Sequence, residues 1–391
     1  MAGIIHAKAN TATDQRQGAW RVGDHPGQRQ FATLFSRETL QLECGQSFGP
    51  ITLAYETWGQ LNSTASNAIL LLHGFSGDSH AAGGQGPGHH HPGWWNTVIG
   101  PGLAIDTNRF FVICPSAFGS CHGSTGPASL AVDGRPYGSR FPVITIRDMV
   151  ATEKALAEQI GINQWYAVIG GSMGGMRALE WAIDHPSQVE RLLAMATCAA
   201  VSAEVIALHA TQIQAIELDP DFKGGNYYEA GRHQPQRGLC LARSIARISY
   251  GSGQEFDIHF DRRPADNSDP IVNGCYAVEA YLLEHSEISA KHLDANSYRI
   301  LTRAMSHHDI GRGRGGITNA LAAITARTTV VSIASDRLFP PRLQNELAQG
   351  IKDSVTLTRI DSLHGHDGFL CEQQQISEIL RQTLGCVNNQ T

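Results

Sequence analysis

No Cys-x-x-Cys pair occurs in this 391-residue chain, although it holds eight cysteines, at positions 44, 114, 121, 198, 240, 275, 371 and 386. Several sit inside apolar runs such as "FFVICPS". They are expected to be reduced core thiols of a cytoplasmic protein, not a disulfide framework. No apolar run reaches membrane-spanning length, and "MAGIIHAKANTATDQRQ" lacks the apolar segment of a secretory signal. The expectation is a soluble, intracellular protein with no membrane partner. Blocks of lysine and arginine are also missing. With 30 basic against 36 acidic residues the formal net charge is −6, so no nucleic-acid partner is expected. Internal repeats and low-complexity tracts are absent too. Charged residues make up only 17%, but hydrophobic residues reach 42%, ample for a large core.

What is present is a series of short apolar runs bounded by turn residues: 51–59, 68–74, 110–116, 165–171, 191–199, 328–336 and 354–361. Their near-continuous apolarity suits strands of a mostly parallel sheet covered on both faces. Amphipathic helical patterns lie between them, as at 145–160 and 176–185. This alternation predicts an α/β fold. The rhythm breaks between about 200 and 326, where the patterns are helical with no strong strand. The expected organisation is an N-terminal arm (1–30), a first core part (31–199), an inserted helical cap (200–326) and a second core part (327–391).

The stretch "VIGGSMGGMRALEWA" (168–182) matches G-x-S-x-G between a strand and a helix. A nucleophile there needs a very tight turn, which Gly170, Gly174 and Gly175 permit, and the helix N-terminus favours negative charge at Ser172. The alternative is a strand–helix connection that uses glycine and serine for packing alone. A serine hydroxyl needs a base, oriented in turn by a carboxylate. Asp336 follows an apolar strand in "SIASDRLFPP", where it could instead cap the helix in "PPRLQNELA". Two histidines follow the last strand in "DSLHGHDGF", and His366 is preferred to His364 because of its glycine neighbour. For an oxyanion hole, Met173 supplies one backbone N–H. The "LLLHGFSGDSH" turn supplies the other, at Phe75 or else Ser76.

Taken together, "LAYETWGQLN", "LLLHGFSGDSHAAG", "GWWNTVIGPGLAIDTNRFFVIC", "GGSMGGMRALEWA", "SDRLFPP" and "GHDGFL" resemble the homoserine O-acetyltransferases of the α/β-hydrolase superfamily. The resemblance spans about residues 35 to 375. It implies an α/β-hydrolase fold with an inserted cap, and a Ser172, Asp336, His366 triad. The reaction it implies is ping-pong acetyl transfer from acetyl-CoA, as co-substrate, to L-homoserine in methionine biosynthesis. No permanently bound cofactor is implied. It places substrate-binding groups at Arg243, in "GLCLARSIARISY", and Asp367, and it implies a homodimer built through the caps. Relatives that use succinyl-CoA resemble "SDWRFSP", with arginine two residues after the aspartate. Here Leu338 takes that place, which points to the acetyl donor. The sequence departs from the family at "SYGS" (249–252), where many relatives carry an arginine after the tyrosine, and in the histidine-rich "GGQGPGHHHPGWW" loop. The rivals are succinyl transfer, serine as acceptor, a plain esterase and a non-catalytic binding protein on the same fold.

Three further features are read as structural. "HHH" (89–91) and "SHHD" (306–309) have no helical His-x-x-x-His spacing, so no metal site is expected. "GRGRGG" (311–316) lacks the strand–GxxxxGK[ST]–helix context and suits a cap-to-core hinge, with a contact from Arg312 or Arg314 to CoA phosphates as the alternative. Nothing marks Cys121 as reactive.

Overall fold

The computed structural model describes residues 18–229, 232–352 and 354–386. Eight strands form the central sheet: β1 (Gln30–Leu34), β2 (Ile51–Trp58), β3 (Ala68–Leu72), β4 (Phe111–Pro115), β5 (Ala167–Gly171), β6 (Arg191–Met195), β7 (Arg327–Ile333) and β8 (Val355–Ile360). Their order is β1-β2-β4-β3-β5-β6-β7-β8. The β1–β2 and β2–β4 pairs are antiparallel, and every later pair is parallel.

Burial on both faces explains the apolar runs. Along β3, Leu70 and Leu72 join one core cluster while Ile69 and Leu71 join another, and β6 divides Leu192 and Ala194 from Leu193 and Met195 in the same way. The first face is covered by α1 (Ile146–Gln159), α2 (Met173–Asp184) and α9 (Pro341–Gly350). The second is covered by α10 (Gln373–Thr383) and by Trp95, Val98 and Ile105. A reciprocal cap starts α1: Thr145 Oγ1 accepts from Asp148 N–H, and the Asp148 carboxylate accepts from Thr145 N–H.

Between β6 and β7 run α3 (Ala203–Glu217), α4 (Gln236–Tyr250), α5 (Gly253–His259), α6 (Ala277–Ala290), α7 (Ala295–Ser306) and α8 (Ile317–Ala322). They build a separate apolar cluster that includes Ile216, Leu239, Ala242, Ala290 and Tyr298. Leu301, Ala304 and Met305 of α7 and Ala320 and Leu321 of α8 pack instead into the main core. The last two helices thus anchor the insertion to the sheet.

Two readings change. Strand β1 lies within a stretch that carried no strand signal, because its edge position leaves Gln30, Phe31 and Thr33 exposed and breaks the apolar run. Of the expected N-terminal arm, residues 1–17 lie outside the described residues. From Gly18 onward it is docked, with Gly18 N–H donating to Lys291 O and Trp20 stacked on Phe31 at 5.0 Å. All eight cysteines are free; Cys114, Cys121 and Cys198 are buried, whereas Cys44, Cys275 and Cys371 are exposed. Burial pushes the Cys121 thiol up to about 12, which keeps it protonated near neutral pH.

The "GRGRGG" arginines are committed to the protein's own carboxylates. Arg312 meets Glu43 at 2.8 Å, and Arg314 meets Glu180 at 2.7 Å and Asp184 at 2.6 Å. Glu180 is buried on α2, and its only other ion partner among the described residues is Arg147, at 3.2 Å. Burial raises the Glu180 pKa despite both guanidiniums. Arg314→Met is therefore expected to destabilise the fold by about 1–3 kcal/mol, through a buried carboxylate left short of partners. Urea unfolding at pH 7 checks this, and an unchanged midpoint would contradict it.

Candidate active site

Ser172 sits between β5 and α2 with φ 57° and ψ −123°, a backbone conformation that L-residues rarely adopt. The glycines around it are required by close approach. A methyl at Gly170 would lie 2.1 Å from Gly174 O, and one at Gly174 would lie 2.0 Å from Leu72 O. Main-chain contacts fix the turn from outside: Ser172 N–H donates to Met195 O at 2.9 Å, and Thr197 Oγ1 donates to Ser172 O at 3.0 Å.

Three chain segments converge on this serine. His366 Nε2 is 2.8 Å from Ser172 Oγ, and His366 Nδ1–H donates to Asp336 Oδ2 at 2.7 Å. Asp336 Oδ1 accepts from the amides of Leu338 (2.8 Å) and Phe339 (2.9 Å). Helix α9 has no side-chain cap, so Asp336 orients the imidazole and a turn and does not start that helix. All three residues are buried. Burial alone would lower the His366 pKa. The charge and hydrogen bond of Asp336, with Asp367 alongside, outweigh it and raise the pKa above the ordinary imidazole value. Tyr250, Phe339 and Phe369 pack around the ring at 5.4 to 5.7 Å.

The "HGFSGDSH" loop lies against the nucleophile. A methyl on Gly74 would sit 3.7 Å from Ser172 Cβ. His73 is buried, and burial, with Arg177's charge, holds its pKa down to about 3. It is therefore neutral, accepting Ala117 N–H at Nε2 (3.0 Å) and donating from Nδ1 to Gly74 O (2.7 Å). Among the described residues, neither Phe75 N–H nor Met173 N–H has a protein acceptor. The Phe75 ring meets Tyr298 of α7 edge-on at 4.8 Å.

Arg243 reaches this loop from α4, donating from Nη1 to Ser76 Oγ at 3.0 Å. It is buried, has no ion-pair partner among the described residues, and its Nε has no hydrogen-bond partner. Tyr250 and Tyr298 lie beside it. Neither was read as a site residue in the sequence, although Tyr250 follows Arg243 by seven residues, two helical turns on the same face. Asp367 follows His366; burial raises its pKa, while His366, Arg247 and Arg243 pull it down without cancelling that rise. A cavity of about 940 Å³ opens beside Ser76 and Arg243, lined by Trp20, Arg29, Asp78, the 86–92 loop and His292.

The remaining candidates separate. Leu338 is buried in the main core cluster, and its neighbour Arg337 is exposed. His364 lies outside the triad and contacts Glu255. His308 is buried on Cys198 O. His89 is not incidental. With Glu56 and His80 it forms a buried group whose potential ligand atoms lie within 4.8 Å of one another. Those atoms serve each other: His80 Nδ1–H donates to Glu56 at 2.8 Å, and His89 Nε2 accepts Gln28 N–H at 2.9 Å. Their outer ring nitrogens lack the partners that orient a metal-ligating imidazole. Glu56 also accepts from Ser79 Oγ, so the group fixes the far end of the 73–80 loop.

A family model described as alpha/beta hydrolase fold matches residues 67–372. The homoserine O-acetyltransferase of Thermobifida fusca (strain YX) is 52% identical over 367 residues, covering 94% of this chain and 96% of the relative. The crystal structure of homoserine O-acetyltransferase from Bacillus anthracis superposes with a TM-score of 0.83 at 30% identity, covering 91% of this chain and 97% of the other. Esterase E22 superposes equally well, with a TM-score of 0.83 at 31% identity over 91% of this chain and 99% of that one. On this sheet, this serine turn and these relatives, the chain belongs to the homoserine O-acetyltransferase family of α/β-hydrolase-fold proteins.

Proposed function

We propose that this chain transfers an acetyl group from acetyl-CoA to the side-chain hydroxyl of L-homoserine through an acetyl-Ser172 intermediate. The observation that carries the acceptor half is Arg243, a buried guanidinium with no carboxylate partner among the described residues. Leaving such a charge unpaired is costly unless a ligand supplies its counter-ion. The α-carboxylate of an amino acid does so, and Asp367 takes the ammonium group on this reading, whose arrival offsets the burial that raises its pKa.

In the first half-reaction His366 Nε2 takes the proton of Ser172 Oγ as the oxygen attacks the thioester carbonyl. The amides of Met173 and Phe75 receive the oxyanion. The C–S bond breaks, and the proton passes from His366 to the leaving CoA thiolate. In the second half the homoserine hydroxyl gives its proton to His366 and attacks the acetyl carbon. Ser172 leaves and recovers the proton. Asp336 holds the tautomer throughout. No permanently bound cofactor is required. Leu338, apolar and buried, gives a succinyl carboxylate no partner, which favours the acetyl donor. The 200–326 insertion acts as the cap. The exposed apolar side chains Ile206, Leu241, Ile248, Leu283 and Ile288 on its helices suit pairing with a second copy. A cytoplasmic place goes with a step of methionine biosynthesis; among the described residues no helix is long and apolar enough to cross a membrane.

Acetyl-CoA alone should add one acetyl group to the wild-type chain at Ser172, seen by intact-mass spectrometry, and none to Ser172→Ala. That variant should lose on the order of 10⁴-fold or more in turnover; retained activity would end the proposal. Arg243→Ala should leave the acetylation burst intact and slow transfer to homoserine at least about 10-fold, as expected for losing a buried charge partner. Loss of the burst would instead place Arg243 on the donor. Because His366 must be neutral to accept the serine proton and its pKa is raised, acetylation should rise with pH along a limb lying above about pH 6.5. In Asp336→Asn the raising charge is gone, so the limb should move to lower pH while the plateau falls. Rapid-quench pH profiles of both proteins would show this.

A further inference from the structure

The "HGHD" motif carries two histidines, and the reaction above uses only His366. His364 is half-exposed and faces the cap. Its Nδ1–H donates to Glu255 Oε1 at 3.1 Å. The same Glu255 oxygen accepts from Arg247 Nη2 at 2.9 Å, and Arg247 Nε donates to Tyr281 OH at 2.7 Å. A polar chain therefore runs from α6 through α4 and α5 to the loop that carries His366. Glu255 is buried and fixed at the start of α5, where its N–H donates to Ser252 Oγ.

Two other contacts put the cap on the same loop. Ser252 Oγ donates to Leu363 O. Gly365, at φ 57°, packs so closely that a methyl would lie 2.1 Å from Tyr250 O and 2.8 Å from Ser252 N. On the core side, Ser335 Oγ donates to Ser362 O at 2.6 Å and Gly365 N–H donates to Ser335 Oγ at 3.2 Å. The 362–367 loop is thus gripped between the residue preceding Asp336 and the α4–α5 junction.

We propose that Glu255 and His364 are positioning residues: their contact ties the cap to the catalytic loop and sets where His366 meets Ser172. The inference rests on the Ser172–His366 reading given above. His364 is too exposed for the tie to carry much of the global stability. Its effect falls on geometry, and a misplacement of the order of 1 Å at a reacting group costs about 10²-fold. Because Asp367 follows His366 and Arg247 lies one turn after Arg243 on α4, the same carboxylate also keeps the two acceptor-binding groups in register.

The test compares the full-length wild type with His364→Ala, His364→Asn, Glu255→Ala and the His364→Ala/Glu255→Ala double variant. The readouts are single-turnover acetylation of Ser172 across acetyl-CoA concentrations, and thermal melting. His364→Ala and Glu255→Ala should each lower the saturated acetylation rate about 10-fold, a fraction of the full misplacement cost. The half-saturating acetyl-CoA concentration should stay within about twofold. His364→Asn, whose side-chain N–H₂ can still donate to Glu255, should recover the rate to within about threefold. The double variant should be no slower than Glu255→Ala, because both changes break one contact. A His364→Ala rate within twofold of wild type, strictly additive losses, or an asparagine variant no better than alanine would each overturn the proposal. Should Glu255→Ala fail to fold, the His364 pair decides alone. A wild-type chain that forms no adduct would sink the transfer reading itself, whereas a normal wild-type adduct with an unaltered His364→Ala rate sinks only this one.

Discussion

The backbone of Ser172 is held in a region that costs an L-residue about 1–3 kcal/mol. Three separate parts of the core hold it there. Strand β6 and the residues after it supply Met195 O and Thr197 Oγ1, β3 brings Leu72 O against α2, and β5 and α2 touch at Gly170 and Gly174. None of these contacts is possible unless β3, β5 and β6 lie side by side in parallel, because only then do their carboxyl ends meet at one edge. The strained turn depends on the sheet order, and the partners of the serine depend on the turn. Asp336 leaves β7 and His366 follows β8 at that same edge, where ligands of open α/β sheets are bound.

Charge is distributed unevenly around the edge, and the unevenness carries the chemistry. One Asp336 oxygen is taken up by two amides, which fix the carboxylate, and the other meets the His366 imidazole. Arg177 beneath the serine is neutralised by Glu153, and Arg247 by Glu255. Arg243, by contrast, has a serine hydroxyl and neighbouring phenols, which satisfy its N–H groups only in part, and no close ion pair among the described residues. Ion pairs closed within the protein hold elements together; the proposed acceptor site rests on the one that stays open.

Most of the sheet was legible because strands buried on both faces must be apolar throughout, as "AILLL" and "AVIGG" are. An edge strand escapes that rule, and "QFATL" gave no signal for β1. Ser172 was legible from its glycines, since a turn this tight rejects side chains. Asp336 and the choice between His364 and His366 were not settled by local pattern, because a cap, a turn and a catalytic carboxylate look alike in one dimension. The contacts with Asp336 and, across 194 positions of chain, with Ser172 separate the two histidines. Burial of His89 beside Glu56 and His80 was equally invisible, since a Gly/Pro-rich loop gives no sign of folding inward. The cap–loop tie through Glu255 joins residues 109 positions apart and has no sequence signature.

The triad cannot by itself decide between transfer and hydrolysis, since an esterase shares this fold as closely as a homoserine O-acetyltransferase does. Either reaction passes through an acyl-serine, and both acceptors attack with the help of the same imidazole. What differs is how the attacking oxygen is delivered. Water competes at its bulk concentration, whereas a hydroxyl held in line can reach effective molarities of about 10⁵ M or more. An enzyme that fixes its acceptor therefore favours transfer without excluding every water molecule. The fixing groups must sit on elements that do not shift relative to His366. On the proposed reading Arg243, on α4, and Asp367, beside His366, hold the acceptor, which then bridges two segments that meet at the α4–α5 junction. On that reading the choice of reaction rests on the rigidity of that junction as much as on the chemistry of the three residues it faces.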